Sequence, residues 1–229
     1  MDNRFVGKLY RRIVHKYFVQ DMLLDLKLAA KQDSVAYIQA HLGSAMLMPD
    51  RYGLLNLAID AAKKATPDGF VAEFGVAGGK TLRHIANRWG GQVHGFDSFQ
   101  GLPEDWSGTA ERAGRFDAKG KLPAVPANAK LHPGWFDATV PRFLAGQNGQ
   151  AALLHLDADL YSSTKTVLDL LADRIGPGCV IVFDEYLNYP SWREHEYKAF
   201  QEFIQATSRR YRYLGFSTLQ GQAAVQMAD

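Results

Sequence analysis

The chain predicts an α/β protein built on a mainly parallel sheet with helices on both faces, and three observations carry that expectation. Short apolar runs alternate with helical patterns from residue 70 to residue 207. Several of the runs, such as CVIVF at 179–183, are apolar throughout, as strands buried on both faces require. The run FVAEF passes directly into the glycine-rich turn GVAGG and then a helical pattern. That is the strand–turn–helix unit with which open α/β sheets hold nucleotides, the Rossmann-like arrangement.

Ahead of the sheet, helical spacing covers 4–18, 21–31, 33–41 and 51–65. The first of these is amphipathic, with Lys8, Arg12 and Lys16 set against Leu9, Ile13 and Tyr17. It reads as a helix packed on its own domain or on a second subunit, in preference to a membrane-surface anchor. The turn Pro67-Asp68-Gly69 launches the first strand, 70–75. There follow helix 79–89, strand 92–97, a long loop 98–128, strand 129–133, helix 139–146, strand 151–157, helix 163–174, strand 179–184 and helix 192–207. Two late strand-like runs, 211–216 and 222–227, read as an antiparallel pair at the sheet edge. The predicted division is a helical cap or extension over 1–66 and a ligand-binding domain over 67–229. The loop 98–128 carries four glycines and three prolines, and a connection that long in a compact domain reads as a functional lid.

Bulk properties narrow the class. With 229 residues, 47% of them hydrophobic, the chain can bury one sizeable core. A net charge of +2 gives no electrostatic case for nucleic acid. The single cysteine, Cys179, excludes an intrachain disulfide or a zinc framework. There is neither a run of 18 apolar residues nor a signal-peptide pattern, so a cytoplasmic protein without a membrane partner is expected.

The chemistry gathers at strand ends. Glu73, Asp97, Asp157 and Asp184 each close a predicted strand, and Asp159 and Glu185 follow closely. Ligands of such sheets bind outside the carboxyl ends of the strands, where so many acids are costly unless something positive sits among them. Glu73, just before the turn, opposes phosphates; a cationic cofactor without phosphates, S-adenosylmethionine, fits better. Asp97 is placed for ribose hydroxyls. Asp157, Asp184 and Glu185 form a hard-oxygen set suited to Mg²⁺. Helix capping is the competing reading for some of these acids, Asp159 above all.

Three motifs compete. Gly79-Lys80-Thr81 with VIVFDE resembles a phosphate-binding loop and its partner strand, which would make a nucleotide hydrolase, but the first glycine of that loop falls on Phe74. Tyr161 and Lys165 share a reductase-like spacing that reads as ordinary helix packing. His195 in WREHE lacks the second histidine of a zinc site, yet follows an acidic strand and is a candidate base for a metal-free mechanism.

The segments EFGVAGG, GFDSFQGLPEDW, HPGWFDATVP, HLDADLYSST, VIVFDEY and NYPSWREHEYKAF occur in the order and spacing of the macrocin O-methyltransferase family. The resemblance runs over roughly residues 46 to 206. It implies a class I methyltransferase fold with a seven-stranded, mainly parallel sheet and an antiparallel edge strand. It also implies an S-adenosylmethionine-dependent, Mg²⁺-assisted O-methyltransferase acting on a hydroxyl of a sugar or small metabolite of secondary metabolism. Carried over by position, Glu73, Gly75 and Gly78 would line the methionine end of the cofactor, Asp97 and Ser98 the ribose, and Trp135 and Phe136 the adenine edge, unless those two are core aromatics. Asp157, Asp184 and Glu185 match the metal-binding acids, with Asp157 also the expected base. The chain departs from the resemblance at Glu185, where the family looks to have a shorter Asp or Asn. The apolar N-terminal helices suggest a homo-oligomer, such as a dimer. A cofactor-binding module without catalysis is the reading from a different class.

Overall fold

The computed structural model describes residues 3–15 and 21–229. The strands are β1 (Met46–Met48), β2 (Phe70–Phe74), β3 (Val93–Asp97), β4 (Ala129–Pro133), β5 (Ala151–Leu156), β6 (Val180–Phe183), β7 (Arg210–Ser217) and β8 (Ala223–Ala228). The helices are α1 (Asn3–Val14), α2 (Met22–His41), α3 (Arg51–Ala65), α4 (Lys80–Trp89), α5 (Phe136–Ala145), α6 (Tyr161–Leu170) and α7 (Glu196–Thr207).

All strands join one sheet in the order β1-β7-β8-β6-β5-β2-β3-β4. β8 alone runs antiparallel to both of its neighbours, β6 and β7; every other neighbouring pair is parallel. The expected fold class therefore holds, with one strand more than expected. β1 pairs with β7 through Met46 and Gly215, which leaves the antiparallel strand third from that edge. Three residues are too short to show a two-residue period, so β1 carried no signal in the sequence.

Strand alternation splits the core in two. Ala72 and Phe74 of β2, with Leu154 and Leu156 of β5, face the cluster containing Val140 of α5, Val167 of α6 and Phe200 of α7. Val71 and Leu153 face the other cluster with Leu55 and Ile59 of α3 and Leu82 and Ile85 of α4. Because β2 and β5 pair Glu73 with His155, those two polar side chains also lie on the second face, side by side.

The expected helices 21–31 and 33–41 are one continuous helix, α2. No glycine or proline interrupts residues 21–42, and Asp21 caps the start by accepting from the amides of Leu23 and Leu24. Its second half is anchored by Tyr37, whose hydroxyl bonds that of Tyr213, and by Ser34, whose hydroxyl accepts from the Asn188 amide. Its first half keeps Met22, Leu23 and Leu26 exposed. The amphipathic helix expected over 4–18 is α1 as far as Val14; residues 16–18 lie outside the described residues. Among the described residues, no helix is long and apolar enough to cross a membrane.

Candidate active site

A cavity of about 320 Å³ opens at the carboxyl ends of β2, β3, β5 and β6. Its floor is set by the turn after β2. Gly75 has φ +93°, and a Cβ built on it would stand 1.7 Å from the carbonyl oxygen of Asp157. Only glycine lets β2 and the β5 loop approach this closely. Asp97 holds the turn from the other side. Its Oδ2 accepts from the amides of Val76 and Ala77, both at 2.8 Å, and its Oδ1 accepts from the Phe99 amide at 2.6 Å. A carboxylate offers about four acceptor positions, so one is left, on a residue that lines the cavity.

The opposite wall is acidic. Asp157, Asp159, Asp184 and Glu185 all line the cavity. Burial, and next the charge of Asp184, pushes Asp157 well above the usual carboxylate range. The same causes in the same order raise Asp159 to about 7 and Glu185 to about 8. Two cations answer this charge. Arg51, at the start of α3, places Nη2 3.1 Å from Asp184 Oδ2. Beneath the floor, His155 Nδ1 lies 2.8 Å from Glu73 Oε1 and its Nε2 lies 3.7 Å from Asp184 Oδ1. Burial alone would lower the His155 pKa, but the nearby Asp184 carboxylate and the hydrogen bond to Glu73 raise it to about 10, which favours the charged ring.

The acids suit a hard divalent cation by donor chemistry: oxygen ligands in excess of the positive charge around them. Asp184 already gives Oδ2 to Arg51 and Oδ1 to the Gln222 amide at 3.3 Å, and each oxygen keeps a further lone pair. Among the described residues no three His, Cys, Asp or Glu side chains already close around one point.

Loop 98–128 roofs the site. Leu102 and Trp106 pack on Leu160 and Tyr189, and Leu102, Pro103, Trp106 and Phe116 line the cavity. The loop is internally tied, with Asp105 holding Arg112 at 2.7 Å and the Ala113 amide at 2.9 Å. It is latched to the body where the Ser107 carbonyl meets His195 Nε2 at 2.9 Å and Glu104 accepts from Ser162 at 2.6 Å.

The structure brings Gly75, Asp97, Ser98, Trp135, Phe136, Asp157, Asp184 and Glu185 to this one cavity. Three expected residues lie elsewhere. Glu73 is fully buried under the floor against His155, because its place in β2 turns it toward that neighbour in the sheet. Gly78 lines a second cavity with Arg83 and Lys121, which shares Ala77 and Phe116 with the first. His195 does not line the cavity; it is buried and committed to the Ser107 carbonyl, so it holds the roof. Sequence reasoning missed Arg51 and His155. His155 had one signal, a lone polar residue inside the run AALLHL; Arg51 had none, because only the fold brings the start of α3 to Asp184, far along the chain.

Comparison with known proteins gives the family and the fold. A family model described as a methyltransferase domain matches residues 72–186, just over half of the chain. A curated relative from Streptomyces olivaceus, 8-demethyl-8-(2,3-dimethoxy-alpha-L-rhamnosyl)-tetracenomycin-C 4'-O-methyltransferase, is 34% identical over 107 residues, covering 39% of this chain. The match spans 40% of that relative's own length. Among solved structures, the calicheamicin methyltransferase CalS11 superposes with a TM-score of 0.63 at 27% identity, over 79% of this chain and 82% of that one. The O-methyltransferase NovP, at 21% identity and a TM-score of 0.54 over 77% and 80% of the two chains, shares the fold.

Proposed function

Since the chain belongs to the methyltransferase-domain family, we propose that it transfers the methyl group of S-adenosylmethionine to a sugar hydroxyl of a secondary metabolite. The observation that carries this reading is the meeting, in one roofed cavity, of the Gly75 turn, the Asp97 carboxylate and the acids that follow β5 and β6. The sugar and the hydroxyl come from the relatives, one named as a rhamnosyl-tetracenomycin 4'-O-methyltransferase and the other titled a TDP-rhamnose 3'-O-methyltransferase at 25% identity.

When bound, S-adenosylmethionine supplies a methyl group already activated by its sulfonium. The chain then has two tasks, alignment and removal of a proton. The free acceptor position of Asp97 takes a ribose hydroxyl, and Trp135 and Phe136 flank the adenine end. The acid wall stabilises the positive sulfonium and would repel a polyphosphate tail, which argues against nucleotide hydrolysis. The roof residues Leu102 and Trp106 exclude water from the reacting centre.

Asp159 is the candidate base. It is held at φ +60° at the cavity wall, and its pKa of about 7 suits a group that must accept a proton near neutrality. Asp157, expected as the base, lines the same wall, and with Asp184 and Glu185 it would supply the oxygen donors for Mg²⁺. A divalent ion there would lower the pKa of a coordinated hydroxyl and fix its position.

The test is a transfer assay with isotopically labelled methyl donor and a panel of rhamnosylated polyketides, nucleoside-diphosphate sugars, catechols and amines. Labelled methyl on one sugar hydroxyl is expected. Transfer to catechols or amines with none on any sugar contradicts the assignment.

A further inference from the structure

We propose that Glu196, through one buried carboxylate, sets the spacing between the two acid-bearing loops and so acts as a positioning residue of the active site. The sheet stops organising these loops at its rim. β5 and β6 end their pairing at Leu156 and Phe183, and the last backbone bond between them runs from the Asp184 amide to the Leu156 carbonyl at 2.8 Å. Beyond it, among the described residues, the segments 157–160 and 184–186 exchange no backbone hydrogen bond. Those segments carry Asp157, Asp159, Asp184 and Glu185, which crowd one cavity wall.

Glu196 spans the gap. It stands in the first turn of α7 and is fully buried. Its Oε1 accepts from the Ala158 amide at 3.3 Å and its Oε2 accepts from the Glu185 amide at 3.0 Å. Ala158 lies between Asp157 and Asp159, and Glu185 directly follows Asp184, so each oxygen grips one loop at its acids. Burial, and the acids beside it, raise Glu196 above the usual carboxylate range, while the Glu185 amide works the other way; in either protonation state both oxygens can accept. A side chain from outside the sheet thus completes, through backbone amides, a ladder that the strands no longer provide.

The functional weight of this bracing rests on the methyl-transfer reading given above, but its test is separable. The Glu196→Gln side chain is nearly isosteric, yet one of its two oxygens becomes an amide nitrogen that cannot accept, so one loop is released. Glu196→Asp keeps the charge and is too short to reach both amides. In wild-type protein the amide protons of Ala158 and Glu185 should lie downfield and exchange slowly; rapid exchange at both positions overturns the proposal whether or not any variant folds. In E196Q one of the two signals should move upfield with the other backbone signals in place. With a methylatable acceptor, kcat should fall by at least ~10-fold, as a misplaced reacting group entails, while the KM for the methyl donor stays within about twofold. E196D should lose kcat as well, because it reaches one loop only. An E196Q protein with both signals unmoved, or with wild-type kcat, overturns the proposal. Failure of wild-type protein to bind S-adenosylhomocysteine would instead sink the functional reading and leave the amide signals to decide the bracing.

Discussion

At the scale of single residues, the site is a contest among buried charges, and two titrations follow from it. His155 carries a pKa of about 10 against an ordinary 6.5, so its charged form is favoured in the folded state. That stability is fully present below pH 6.5 and is lost as pH rises toward 10. Thermal midpoints should therefore decline over that alkaline window, and His155→Gln should lower the midpoint at neutral pH while removing the decline. Differential scanning calorimetry across pH reads both. On the far side of the sheet His94 has its Nδ1 3.0 Å from His132 Nε2. Burial, and next the charge of His132, lowers His94 to about 4. Its neutral form is favoured, so a second loss of stability should appear as pH falls from 6.5 to about 4. His94→Phe should remove that acid-side slope. For catalysis, Asp159→Asn should lower kcat by about 100-fold, the usual weight of a general base. Its affinity for S-adenosylhomocysteine, measured by calorimetry, should stay within about twofold, because Asp159 is assigned to the acceptor's proton.

At the scale of elements, the sequence was legible where a pattern was long and opaque where a contact was made at a distance. The turn GVAGG announced its role, since Gly75 is required by the approach of Asp157 and no other residue fits. The ends of β3, β5 and β6 announced theirs as well, because an acid closing an apolar run is visible without coordinates. Glu73 followed the same pattern and still went under the floor. The pleat decides which side of a strand a residue occupies, and a strand buried on both faces gives no alternation from which to read it. His195 was misplaced for a related reason: its loop folds toward the roof, and only the fold brings it to Ser107. The roof yields a prediction of its own. Gly108 has φ +79°, and a Cβ there would stand 2.2 Å from the Ser191 hydroxyl oxygen. Gly108→Ala should loosen the contact between the roof and the body. Limited proteolysis should then cut within 98–128 faster than in the wild-type protein, with cleavage elsewhere unchanged.

At the scale of the whole molecule, the sheet is the device that assembles the site. Strand order places β2 between β5 and β3, with β6 beyond β5, so acids as far apart in the chain as Asp97 and Glu185 share one rim. The helices contribute from outside that order, Arg51 from α3 and Glu196 from α7, and neither had a signal in the sequence that tied it to the rim. The central claim is that this rim receives a sulfonium nucleoside. Isothermal titration calorimetry with S-adenosylhomocysteine and with Mg-ATP tests it most directly. The account predicts one-to-one binding of S-adenosylhomocysteine with Kd on the order of 10 μM, abolished in Asp97→Ala, and no heat from Mg-ATP. Tight binding of Mg-ATP with none of S-adenosylhomocysteine would contradict it.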